Sequence, residues 1–132
     1  MDQVEMKKRT KKFALRVIRL VESLPNNRTS NVLGNQLLRS GTSVGANYRA
    51  ACRAKSTADF ISKLSIVEEE GDESLFWMEL LIESEQVKPN LVENLLDEAN
   101  QILSIVVSSI KTAKERRNPK SAIPNPKSFH LS

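Results

Sequence analysis

The chain has 132 residues, 39% of them hydrophobic and 27% charged, with a formal net charge of +4. That is the length of one ordinary domain, able to bury a core without disulfides or a structural metal. A single cysteine, Cys52, excludes an internal disulfide and suits a reducing compartment.

The N-terminus, Met1-Asp2-Gln3-Val4-Glu5, lacks the apolar run and small-residue cleavage site of a signal peptide. No apolar stretch is long enough to cross a bilayer, so a cytoplasmic protein without a membrane partner is expected. Scarce glycine (4) and proline (5) favour long helices over a sheet. A first helix is predicted from about Val4 to Leu24, where Phe13, Val17, Leu20 and Leu24 recur at steps of three and four. Pro25 and Asn26-Asn27 end it.

A second helix starts near Ser30 or Asn31, either of which can cap free N–H groups. Its stripe is Leu33, Leu37, Ser40, Val44, Asn47 and Ala51, beside a row of Gly34, Leu38, Gly41, Gly45, Tyr48 and Cys52. Each helical glycine costs about 1 kcal/mol relative to alanine. Close approach of another helix, from this subunit or another, is the expected compensation.

Ser56 caps a third helix, with Asp59 three residues on as a variant capping box. Phe60, Leu64, Val67, Gly71, Leu75, Met78 and Leu81 or Ile82 form its stripe, and it ends before Lys88-Pro89. Pro89 or Asn90 opens the fourth, with Leu91, Leu95, Ala99, Ile102, Val106 and Ile110 widened by Leu103 and Val107. Four amphipathic helices with short links predict an all-α, antiparallel up-down-up-down four-helix bundle over residues 1–117. Residues 118–132, with three prolines and no periodicity, read as a flexible tail.

The side chains do not suggest catalysis or a cofactor. A di-iron centre in such a bundle needs paired Glu-x-x-His units, and the one histidine, His130, lies in the tail. The run Glu68-Glu69-Glu70 with Asp72-Glu73 therefore reads as a surface facing solvent or another subunit, not as a metal site. Cys52 has no histidine beside it in a fixed element to activate it. Arg39, Ser40 and Asn47 lie on or beside the buried face of helix two, and Glu73 beside that of helix three. They read as a structural polar network that fixes register, with a ligand site as the competing reading. Phe76 and Trp77 point about 100° apart, so one of them meets another helix or another subunit.

Charge is segregated. Residues 1–55 carry twelve Lys/Arg against three Asp/Glu, residues 56–110 two against twelve, and residues 111–132 six against one. Lys8, Lys12, Arg16 and Arg19 share one face of helix one, and Lys111, Lys114, Arg116 and Arg117 close helix four. The up-down-up-down arrangement brings both sets to one end. The merged patch either binds phosphate backbones by charge or is a solvated face partly neutralised by the acidic helix of a neighbour.

The stretch Val32-Leu33-Gly34-Asn35-Gln36-Leu37-Leu38-Arg39-Ser40-Gly41-Thr42-Ser43-Val44-Gly45-Ala46-Asn47 resembles the signature of the four-helix bundle proteins related to the 23S ribosomal RNA intervening-sequence protein. Ala54-Lys55-Ser56-Thr57-Ala58-Asp59-Phe60-Ile61-Ser62-Lys63-Leu64, Glu73-Ser74-Leu75-Phe76-Trp77-Met78-Glu79-Leu80-Leu81 and Ile110-Lys111-Thr112-Ala113 extend it over roughly residues 10 to 115. By position, Gln36, Arg39, Ser40, Asn47, Phe60, Glu73 and Glu79 match the characteristic places. Tyr48, after the asparagine, stands where many relatives carry an acidic residue. The resemblance implies a homopentameric ring without known catalytic activity. A similar group of pentameric bundles serves as accessory proteins to reverse transcriptases of diversity-generating retroelements. The expectation is thus a non-enzymatic homo-oligomer that binds structured RNA or DNA, or an accessory subunit of a retroelement reverse transcriptase.

Overall fold

The computed structural model describes residues 1–117. The tail expected at 118–132, His130 included, lies outside the described residues. Four helices follow in order: α1 (Gln3–Glu22), α2 (Arg28–Cys52), α3 (Thr57–Glu83) and α4 (Glu93–Arg117), with a 3-10 turn at Pro89–Leu91 before α4. Each packs on the next, and α4 returns to α1, the pair that meets least. This is the expected all-α four-helix bundle, with no strand among the described residues.

Local chemistry sets the boundaries. Asp2 accepts from the Glu5 N–H (2.9 Å) to start α1, and Ser56 accepts from the Asp59 N–H (3.0 Å) to start α3. The Asp59 carboxylate reaches back to the Lys55 N–H (3.2 Å), a capping box displaced by one residue. For α2 the expected cap at Ser30 or Asn31 is corrected to Asn27, whose side chain accepts from the Ser30 N–H at 2.8 Å. Ser30 is instead buried and donates to Gln86 Oε1 (2.8 Å), as does Asn27 Nδ2 (2.9 Å), tying the start of α2 to the segment after α3.

The core runs along the bundle axis through Met6, Phe13, Val17, Leu37, Val44, Leu64, Val67, Met78, Leu81, Ile102 and Val106, all nearly or wholly buried. Burying each such side chain contributes about 1.5–3 kcal/mol. Two stripes differ from expectation. On α3 the buried row is Ile61, Leu64, Val67, Gly71, Ser74, Met78 and Leu81, while Phe60 and Leu75 are half-buried at its edges. In the fourth stripe, Leu91 of the 3-10 turn and Val107 of α4 are exposed, and Val92 between them, unremarked in the sequence, is fully buried. The 3-10 turn rotates Leu91 outward and Val92 inward before α4 begins.

The glycine row of α2 faces α1 of the same chain. A Cβ at Gly41 would sit 2.8 Å from both γ-carbons of Val17, and one at Gly45 would sit 3.2 Å from the Thr10 carbonyl oxygen. A Cβ would press on the Val17 side chain at Gly41 and on the α1 backbone at Gly45, so close approach of α1 within the same chain accounts for these two glycines.

Candidate functional site

Where α1 and α2 meet at Gly45, small residues leave a groove of about 430 Å³. Ala14, Gly45 and Ala46 form its floor, Lys7, Lys8 and Lys11 one wall, and Arg49 and Arg53 the other. The arrangement follows from helical spacing. Lys7 and Lys11 are four residues apart on α1 and so lie on one side of it, while Arg49 stands in the last turn of α2 and Arg53 caps its end. Thr42 also lines the groove, but its hydroxyl donates to the Leu38 carbonyl of its own helix (2.7 Å).

The same end of the molecule holds the last turn of α4. A second groove of about 740 Å³ is lined by Asp2, Gln3 and Met6 of α1 and its approach, and by Thr112, Ala113 and Arg116 of α4, with Tyr48, Phe60 and Ile105 deeper in it. Lys114, Arg116 and Arg117 are exposed in that last turn, and Lys111 one turn earlier. Cations from α1, α2 and α4 therefore gather at one pole.

Of the residues expected on α1, Lys8 lines the groove. Lys12 is exposed and Arg16 half-buried, both outside its lining. Arg19 belongs to the last turn of α1, about 18 Å along the helix from Lys7, and so lies towards the opposite pole. Arg49, Arg53 and the pairing of Lys7 with Lys11 were missed by sequence reasoning. The available signal was the repeat of small and basic residues at helical steps, Thr42, Ala46, Arg49 and Arg53.

The other arginines with defined partners serve packing. Arg9 donates to both Glu98 oxygens (2.7 and 2.8 Å) and to Gln101 Oε1 (2.6 Å), joining α1 to α4. The Glu98 hydrogen bond pushes the Arg9 guanidinium up against the opposing effect of burial. Arg39 reaches from α2 to Glu70 (2.9 Å) and Glu73 on α3, and Glu73 also accepts from the Trp77 indole N–H (3.1 Å). The four residues expected to form one polar network separate into three arrangements. Arg39 and Glu73 pair at a partly exposed edge. Ser40 meets Ser74, hydroxyl to hydroxyl at 3.0 Å, inside the core. Asn47 donates to the Ser43 carbonyl of its own helix (2.9 Å), because its position on α2 turns it away from Glu73.

By contrast, among the described residues none of Lys7, Lys8, Lys11, Arg49 and Arg53 pairs with a carboxylate. Cys52, near the same pole, is a half-buried free thiol held up in pKa by burial, with Lys7 and Tyr48 pulling the other way. A protonated thiol is a weak nucleophile. No three His, Cys, Asp or Glu side chains converge as metal ligands among the described residues. None of the described helices is long and apolar enough to cross a membrane.

The family described as 23S rRNA-intervening sequence protein matches residues 2–108. A crystal structure of a protein of unknown function from the S23 ribosomal protein family of Bacteroides thetaiotaomicron is similar at a TM-score of 0.78 and 39% sequence identity, covering 84% of this chain and 99% of that one. No curated protein matches the chain.

Proposed function

This chain belongs to the 23S rRNA-intervening sequence protein family, and from that premise we propose a non-enzymatic, homo-oligomeric helical protein that binds structured RNA or DNA through its basic pole. The observation that carries the reading is the gathering of cations from α1, α2 and α4 at one end, five of them around a groove and without carboxylate partners among the described residues. Phosphate backbones bind such surfaces by releasing counterions, and affinity then falls steeply with salt. The family's name, which ties it to ribosomal RNA, agrees with that partner.

The test is titration of a labelled RNA hairpin with the full chain at two salt concentrations. With about six phosphate contacts, affinity is expected to fall by roughly 10³ between 50 and 200 mM salt. No binding at the lower salt overturns the proposal. The oligomer, a pentamer by family likeness, is supported by Phe76. That side chain is 51% exposed and stacks edge-on against Trp77 at 5.1 Å. A monomer in light scattering at micromolar concentration refutes it.

The same exposed aromatic favours a second reading, an accessory subunit that docks on another protein such as a reverse transcriptase. Phe76→Ser abolishing a partner's binding, in a chain that shows no RNA affinity at low salt, supports that reading over the first.

A further inference from the structure

We infer that the groove between α1 and α2 seats the sugar-phosphate backbone of one nucleic-acid strand and reads no bases. The inference rests on the basic-pole reading and assigns it a place. Three features of the groove support it.

The first is length. Its lining runs from Lys7 to Ala14 on α1 and from Thr42 of α2 to Arg53, the residue that caps it, about 10 Å along α1 and about 15 Å along α2 to its end. That is a trough for a short run of nucleotides, longer than a lone phosphate needs. The second is repeat. Lys7 and Lys11 stand about 6 Å apart along α1, a rise suited to successive phosphates of one strand, and Arg49 and Arg53 face them from the last turn and the cap of α2. The arginines add forked donors that grip phosphate oxygens two at a time, while the lysines act as point charges.

The third is what the lining lacks. Among the described residues no aromatic and no acidic side chain lines the groove. Without an aromatic there is no platform on which a base can stack. With no carboxylate in the lining, none of the five cations is ion-paired among the described residues. Small residues at the floor, Ala14, Gly45 and Ala46, keep the trough open to a bulky chain. Arg9 and Arg39 are used differently, both engaged by glutamates across helix seams.

The test compares three variants of the full chain on the same RNA hairpin, each checked for helix content by circular dichroism. Lys7→Glu/Lys11→Glu/Arg49→Glu reverses three groove charges. Lys12→Glu/Arg16→Glu/Arg19→Glu makes the same charge change outside the groove. Ala46→Phe fills the trough without altering charge. The groove triple is expected to lose roughly 100-fold in affinity at low salt and to flatten the logarithmic salt slope by about 2–3, one contact per cation removed. The outer triple loses much less, and Ala46→Phe weakens binding about tenfold. Equal losses in both triples mean a diffuse field and overturn the groove while leaving the basic-pole reading intact, and so does an unchanged Ala46→Phe. Absence of binding by the unaltered chain overturns both. If the groove triple instead breaks an oligomer in light scattering, a second copy fills the trough and the inference falls.

Discussion

Tyr48 lies buried near the end of α2, and burial first, then the neighbouring Cys52, push its phenol up to about 12. In an unfolded chain a tyrosine titrates near ~10. Between the two values the unfolded chain gives up its proton while the folded one keeps it. The stabilisation is therefore complete below about pH 10 and is lost as pH climbs towards 12. A loss of about 1–2 kcal/mol over that window is expected, and it should vanish in Tyr48→Phe. The chain has one tyrosine, so the tyrosinate absorbance band follows this group alone. A midpoint near 10 in the folded protein contradicts the burial. Glu85 carries the opposite kind of residue-level tension. It closes α3 at a left-handed φ of 63°, with its N–H on the Ile82 carbonyl (3.0 Å) and the Gln86 N–H on that of Leu81 (2.9 Å). That double closure normally employs glycine, because a Cβ there is strained. Glu85→Gly is expected to raise stability by about 0.5–1 kcal/mol in urea unfolding, and a fall means that the side chain makes a favourable interaction.

Among the helices, α1 and α2 were the most legible, since Phe13, Val17, Leu20, Leu37 and Val44 recur on one side with polar residues opposite. The register of α3 was harder to read. Its apolar residues spread around the helix, from Phe60 and Ile61 to Ile66, Leu75, Phe76, Trp77 and Leu80, so two neighbouring stripes fit almost equally well. Only contact with α2 and α4 selects the one containing Ser74, a polar residue that no hydrophobic pattern flags. The start of α2 was obscured for a related reason: Arg28-Thr29-Ser30 make a polar first turn, and apolar periodicity begins only at Val32 and Leu33. The weak junction of α1 with α4 depends on Arg9. Glu98→Ala removes both of its carboxylate bonds at a partly buried position. We expect a cost of about 1–2 kcal/mol, with faster amide exchange in α1 than in α3. Exchange unchanged in α1 would show that apolar packing alone holds this side.

At the scale of the molecule, the two hairpins differ in charge. The α1–α2 side carries the basic groove, whereas Glu68, Glu69 and Asp72 line a shallow recess between α3 and α4 with Leu103 and Val107. Charge segregation along the chain made a basic end foreseeable. The trough itself was not, because helical spacing on α1 admits two cationic rows. The row through Lys8, Lys12, Arg16 and Arg19 looks as good on paper as Lys7 with Lys11. Choosing between them requires knowing on which flank α2 lies, and that is set by Gly41 and Gly45 meeting Val17 and Thr10. The α1–α2, α2–α3 and α3–α4 seams are broad, while the α1–α4 seam is narrow and carries the Arg9–Glu98 pair. Thermal breathing concentrates where cohesion is thinnest. Local opening is therefore expected first at the α1–α4 seam, beside the groove that Phe60 and Ile105 line.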